Sequence, residues 1–135
     1  MEYQGKYILM LEPDDDDRWL VMQTLKELNI NLTIRFVNDS DQLMIALNNE
    51  SKPFLLLLNF KSAPDDIFTV IRKVKANEAW ASIPVIIGGE QTHHHLVEEC
   101  YRLGASSFIV KPSSNEAIKQ KIAGAIRYWT DVAEV

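Results

Sequence analysis

The sequence PFLLLLN, residues 53–59, contains an apolar run with no polar residue from Phe54 to Leu58. A strand that is apolar at every position is typical of a parallel sheet covered by helices on both faces. Apolar residues then recur at i, i+3, i+4 and i+7, a spacing that predicts an amphipathic helix; they are Ile67, Val70, Ile71 and Val74. The stretch therefore predicts one strand–helix unit of an α/β fold.

The same alternation continues in both directions from this unit. Four more strands are predicted, from an alternating pattern at 30–36 and from apolar runs at 7–11, 85–87 and 108–110. Helical spacing of apolar residues follows each of them. Five alternating units imply a parallel sheet with right-handed crossovers, and they suit a flavodoxin-like (βα)5 three-layer sandwich with strand order 2-1-3-4-5. We expect a single domain, 1–135, with 130–135 as a short tail.

Charge and composition argue against several classes of function. The net charge is -5, the pI is about 5.1 and there is no Lys/Arg cluster, so we expect neither a nucleic-acid partner nor an anionic membrane surface. No apolar run approaches the ~20 residues that span a bilayer, and residues 1–6 do not resemble a signal peptide. Cys100 is the single cysteine, which excludes an internal disulfide and, with the other features, favours a cytoplasmic location.

The residues that directly follow the predicted strands are the candidate site. In an open parallel sheet, ligands bind beyond the carboxyl ends of the strands, near the switch between the first and third strands. The fold would bring these residues together although they are distant in the chain. They are Glu12, Pro13 and Asp14 after the first strand, Asn59 after the third, Gly88 and Gly89 after the fourth, and Lys111 and Pro112 after the fifth.

Four segments resemble the receiver domain of two-component response regulators. They are YILMLEPDDDD at 7–17, PFLLLLNFKSAPDD at 53–66, IPVIIGGEQ at 83–91 and LGASSFIVKPSSNEAI at 103–118. The last segment, with its Lys-Pro pair, is the most specific, and the order and spacing of all four strengthen the match. The resemblance implies a domain in phosphorelay signal transduction, a histidine kinase or a downstream effector as partner, and contact through the face of the fourth helix, fifth strand and fifth helix.

The chain departs from this family where the family does its chemistry. Asn59 stands at the position of the phosphoacceptor aspartate, and an amide cannot replace a carboxylate nucleophile. Pro13 stands in the acidic pair beside Glu12, so Mg²⁺ loses a ligand and its binding should be weak or absent. Gly89 lacks the switch hydroxyl, whereas the switch aromatic Phe108 and the pocket lysine remain. We therefore expect no catalytic residue, no enzyme activity and no resident metal, and a pseudo-receiver that acts by protein contacts.

Other interpretations of the same residues stay open at this level. The run Asp14 to Asp17 either restores a metal ligand through Asp14 or only begins a helix. Lys111 either senses phosphate or pairs with Glu12 or Asp14. We also expect it to lie near enough to compensate the charge of an Asn59→Asp change. A working receiver would need a substitute phosphorylation site with Mg²⁺, such as Asp65 or Asp66. A flavin carrier is disfavoured because the acidic loop after the first strand would repel a phosphate.

Two smaller expectations concern local geometry. The resemblance implies a cis peptide bond before Pro112, which would turn the chain after the fifth strand and direct Lys111 into the pocket. The three histidines at 93–95 cannot share one metal ion, because neighbouring helical side chains point about 100° apart. Cys100 occupies a core-facing helical position and should be a small buried apolar residue.

Overall fold

The computed structural model describes residues 2–59, 64–89 and 94–132. Strands and helices alternate along the chain. The strands are β1 (Glu2–Leu11), β2 (Asn31–Val37), β3 (Leu55–Asn59), β4 (Val85–Gly89) and β5 (Ser107–Val110). The helices are α1 (Asp15–Glu27), α2 (Ser40–Asn49), α3 (Pro64–Ala76), α4 (His94–Leu103) and α5 (Asn115–Arg127), and a π-helical turn (Tyr128–Val132) continues α5.

The five strands form one parallel sheet in the order β2-β1-β3-β4-β5. The predicted order 2-1-3-4-5 and the α/β class are confirmed. β1 begins earlier than the apolar run suggested, because its polar first half extends beyond β3: Glu2 is already in register with Asn31 of β2, whereas pairing with β3 begins at Ile8. The strands therefore share one carboxyl edge, as the candidate site requires.

The two faces of the sheet are covered unequally. Among the described residues, seventeen buried ones pack between the sheet and helices α2, α3 and α4. On the other face, the described cluster of buried residues is smaller and consists of Ile8, Leu32, Leu55 and Ile86, while Leu20, Val21 and Leu25 of α1 and Ile126 of α5 are buried against that face. Partly buried residues such as Leu57, Ile109 and Ala125 pack around it. The second face is thus less completely packed.

The first residues of the expected tail are helical. Residues 130–132 belong to the π-helical turn, in which the Thr130 hydroxyl donates to the Ile126 carbonyl at 2.7 Å. The side chain of Trp129 packs against the smaller core cluster. Packing of Trp129 and the hydroxyl bond together extend ordered helix beyond the last predicted apolar position. Within the described ranges, no helix is both long and apolar enough to cross a membrane.

The predicted cis bond before Pro112 is wrong. The described residues contain no cis peptide bond, so Lys111–Pro112 is trans. The trans isomer of an X–Pro bond is about 0.5–1 kcal/mol lower in free energy, and the chain turns without the cis form. The Lys111 N–H donates to the Gly89 carbonyl at 2.7 Å, and the Ser114 hydroxyl caps α5 by accepting the Ala117 N–H.

Candidate functional site

The ends of β1, β3, β4 and β5 meet at the mouth of one cavity of about 100 Å³. Glu12, Asn59, Gly89 and Lys111 all line it, as the sequence predicts, and so do Gly88 and Pro112. Pro13 is exposed and lies outside the lining, as do Asp14 and Phe108. The sheet edge therefore brings together most, but not all, of the predicted positions.

Glu12 is the buried acidic group of the site, with 0% of its surface exposed. Its backbone N–H donates to the Val37 carbonyl at 3.0 Å, which ties the end of β1 to the end of β2. Its Oε2 accepts a hydrogen bond from the Asp14 N–H at 3.1 Å, and its Oε1 accepts one from the side-chain Nδ2 of Asn59. Both carboxyl oxygens are therefore satisfied by groups of the protein itself, as a buried polar group requires.

Asn59 faces Glu12 with its nitrogen. A carboxylate only accepts hydrogen bonds, so the side-chain nitrogen rather than the oxygen must point toward it. The other side of the amide lies against β4, where a Cβ atom added to Gly88 would stand 3.4 Å from Asn59 Oδ1. The absence of a side chain at Gly88 thus leaves room for the amide, which bridges the third strand and the first.

The acidic run after β1 caps helix α1 and forms its first turn. Asp14 is the N-cap of α1, and its Oδ1 accepts the Asp17 N–H at 3.0 Å. Asp15, Asp16 and Asp17 occupy the first helical turn, where negative charge is favoured by the helix dipole. The interpretation of this run as a helix start is confirmed.

Lys111 contacts the last aspartate of the acidic run. Its Nζ donates to Asp17 Oδ2 at 2.9 Å, and the two side chains are 28% and 13% exposed. Asp17 lies about one helical turn beyond Asp14, so that Asp14 caps the helix while Asp17 faces β5. The lysine consequently links β5 to α1 across the mouth.

Comparison with known proteins gives a consistent result. No protein-family model matches the chain. The probable methanogenesis regulatory protein FilR2 of Methanothrix harundinacea is 24% identical over 127 residues, which cover 90% of this chain and 82% of that protein. A solved response regulator from Hahella chejuensis has a TM-score of 0.89 at 23% identity, covering 97% of this chain and 99% of its own.

Two further solved structures agree. The Mn²⁺-bound form of response regulator Rcp1 has a TM-score of 0.87 at 23% identity, with 97% and 99% of the two chains covered. The phosphorylated cyanobacterial phytochrome response regulator RcpA has the same TM-score at 22% identity, with 96% of each chain covered. The chain has the receiver fold. At these identities the likeness shows the fold alone.

The oxygen atoms at the mouth of this receiver fold do not fit a Mg²⁺ ion, which prefers carboxylate and water oxygens in octahedral arrangement. Both oxygens of Glu12 accept hydrogen bonds, and Asp14 caps α1. Asp17 faces the ammonium group of Lys111. In the part of the chain that the structure describes, no three His, Cys, Asp or Glu side chains are grouped to hold a metal.

Arg18 is a site residue that the sequence analysis missed. Its Nε donates to the Glu12 carbonyl at 2.5 Å, and its terminal nitrogen donates to the side chain of Asn38. The guanidinium group also lies 5.1 Å from the centre of the Phe36 ring, a cation–π distance. Arg18 therefore fastens α1 to the ends of β1 and β2. Arg18 directly follows four aspartates, and no apolar spacing or motif around it predicts this role.

His94, His95 and Cys100 lie away from the site. His94 and His95 are exposed at the start of α4, and His93 lies outside the described residues. Cys100 is 0% exposed within the larger core cluster, so the prediction of a buried apolar residue is confirmed. Burial, with a smaller contribution from Glu99, raises the pKa of the Cys100 thiol to about 11.

The Lys111–Asp17 pair should stabilise the fold modestly. We expect a double-mutant cycle of Lys111→Met and Asp17→Asn, followed by urea unfolding, to give a coupling energy of about 0.5–1 kcal/mol, because both side chains are only partly exposed. The pair Lys119–Glu27, in which the glutamate side chain is 56% exposed, is the matched control and should couple more weakly. Equal or zero coupling for the two pairs would contradict a role for Lys111 in joining β5 to α1.

Proposed function

We propose that this chain is a receiver-like signalling module that acts through protein contacts and does not accept a phosphoryl group at Asn59. The receiver fold and the likeness to a regulatory protein support a role in signal transduction. The phosphorylation-independent part of the proposal rests on the side chains at the mouth. No enzyme activity is proposed.

The main observation is the hydrogen bond from Asn59 to Glu12. In a receiver of the family that the sequence resembles, an aspartate at the Asn59 position would be the nucleophile, and acidic residues beside it would hold Mg²⁺. Here a neutral amide donates to the buried carboxyl group and takes the role that a cation would otherwise have beside it. An amide is not a phosphoryl acceptor. Because the Asn59 nitrogen already donates a hydrogen bond to Glu12, the buried carboxyl group does not need a metal ion as its partner. We accordingly propose that Mg²⁺ binding is weak or absent.

The proposed contact surface is the face formed by α4, β5 and α5. Tyr101 of α4 is 48% exposed, and its hydroxyl accepts the Phe108 N–H at 2.9 Å. This bond fixes the aromatic side chain before any partner arrives, which reduces the entropy cost of binding. The partner would be a histidine kinase or a downstream effector of the same pathway.

The alternative is a receiver phosphorylated on a substitute carboxylate with Mg²⁺. Asp66 is exposed in the first turn of α3 and does not line the cavity that Asn59 and Lys111 share. The side chain of Asp65 lies outside the described residues. A phosphoryl group on Asp66 would be separated from the lysine, which makes this alternative weaker.

The decisive experiment is incubation with acetyl phosphate and Mg²⁺, followed by intact mass measurement. We expect no phosphoryl adduct on the wild-type chain, because no nucleophilic carboxylate occupies the Asn59 position. Asn59→Asp alone should also stay unlabelled, because Pro13 still provides no metal ligand and Gly89 no hydroxyl.

The positive control is the triple variant Asn59→Asp, Pro13→Asp, Gly89→Ser, which should gain an adduct. The added atoms have room, since Pro13 is exposed and a Cβ at Gly89 would meet only Phe108 Cζ, at 3.5 Å. An adduct on the wild-type chain that disappears in Asp66→Asn would establish the alternative. Strong labelling of the single Asn59→Asp variant would show that Asn59 alone silences the site.

A further inference from the structure

The cavity that opens at Asn59 continues below the polar mouth, between the sheet, α1 and α5. Its inner walls are apolar and come from the sheet and from the two helices that cover this face. They include Met10, Leu57, Ile86 and Ile109 of the sheet, Val21 of α1 and Ile122 of α5. The polar site described above is therefore the entrance to an apolar space.

The burial of the sheet gives independent evidence for this space. Leu57 lies in β3, the central strand, between Leu56 at 0% and Leu58 at 1% exposure, yet it is only partly buried. A side chain in that position is ordinarily closed off by the covering helix. Ala125 of α5 and Gly88 of β4 line the same cavity and contribute little side-chain volume. The helix is present, but its side chains do not fill the gap.

The polar groups at the entrance already have partners. Lys111 pairs with Asp17, Asn59 donates to Glu12, and Lys121 Nζ donates to the Val110 carbonyl at 2.7 Å. A buried water needs two to four polar partners, and apolar cavities stay dry and take apolar guests. The inner walls provide contact surface and no charge, so they favour a neutral molecule over an ion.

We propose that this cavity is a binding site for a small, neutral, mainly apolar molecule about as large as one benzene ring. The size follows from the volume: the space of about 100 Å³ is somewhat smaller than an engineered apolar cavity of ~150 Å³ that binds benzene. Because the cavity is open at the mouth, a polar substituent on the ligand would lie beside Lys111 and Asp17. The inference rests on the cavity and holds whether or not the Asn59 site accepts phosphate.

The test is a titration of the full chain with benzene, followed by methyl-resolved NMR. We expect saturable shifts, and nuclear Overhauser contacts to benzene, for the methyl groups of Leu57, Ile86 and Ile122. Ile45 is 59% exposed on α2, on the opposite side of the sheet, and is the internal control that should not shift. The melting temperature should rise with benzene concentration, as for any ligand that binds only the folded state.

Two neighbouring positions of α5 provide the matched variants. Ala125→Leu adds side-chain volume to the cavity wall and should weaken benzene binding by roughly tenfold or more. Gly124→Ala is the control: an added Cβ there meets no atom within 4 Å, and it should bind as the wild type does. If Ala125→Leu does not fold, Ile109→Phe fills the cavity from β5 instead and should have the same effect.

Three results would overturn the proposal. The first is a wild-type chain that shows no saturable benzene binding, since the cavity would then be filled in solution. The second is a shift of Ile45 equal to those of the lining residues, which would mean nonspecific adsorption. The third is unchanged affinity in a folded filling variant, which would place the bound molecule elsewhere.

Discussion

Replacing Asn59 with aspartate should lower the free energy of unfolding by about 2–4 kcal/mol at neutral pH. The change removes the Nδ2 donor that satisfies Glu12 and puts a second carboxyl group against a side chain that is 0% exposed. Sequence reasoning expected Lys111 to compensate the new charge. In the structure that ammonium group is engaged with Asp17, so the compensation should be small.

Urea unfolding of the wild type, Asn59→Asp and Asn59→Leu would separate the two causes of this loss. The leucine variant removes the donor without adding a charge, so its loss should be smaller. Lowering the pH should restore stability to the aspartate variant alone, because one protonated carboxyl group can donate to the other. An aspartate variant as stable as the wild type in a metal-free buffer at neutral pH would refute the proposed role of the amide.

The second large effect concerns the buried thiol of α4. As pH rises from 9 to 11, the wild type should lose about 2–3 kcal/mol of unfolding free energy relative to Cys100→Ala. Burial raises the pKa of this thiol from 9.0 to about 11. In that window the unfolded chain releases the proton while the folded chain retains it. The unfolded state therefore binds fewer protons, and stability falls as pH rises.

Denaturation at several pH values checks this prediction, and only the difference between the two proteins is used, since lysines and tyrosines titrate in both. The difference should be constant below pH 9 and level off above pH 11. A thiol reagent at pH 8 should also react far more slowly with the folded wild type than with the unfolded chain. If the unfolding free energies of the wild type and Cys100→Ala changed equally with pH, or if the folded protein were labelled fast, Cys100 would be accessible and the prediction would be wrong.

The architecture was predictable because it depends on patterns of apolar residues that can be recognised in a single sequence. The apolar run 54–58 and the helical spacing after it are properties of residue type and order. Strict alternation then implies parallel pairing, and parallel pairing brings the ends of all strands to one edge. That is why the sequence alone predicts that Glu12, Asn59, Gly89 and Lys111 lie at one mouth.

The partners within that mouth were not predictable in the same way. Which aspartate meets Lys111 depends on how the cap orients the first turn of α1, because Asp14 and Asp17 differ by nearly one full turn. The isomer before Pro112 depends on an energy difference of about 0.5–1 kcal/mol, which local packing easily exceeds. The cavity depends on the summed side-chain volumes of four strands and two helices, and no single motif predicts that sum.

The bond between Tyr101 and the Phe108 N–H also determines how the sheet can associate. β5 is the last strand of the sheet, and its outward backbone groups would otherwise be a template for another strand. With the tyrosine hydroxyl on the Phe108 N–H, an added strand would have to displace that side chain before it could pair. Strand addition is thus discouraged at the edge that borders the proposed contact surface, and a partner that meets α4 and α5 side chain to side chain encounters no such barrier.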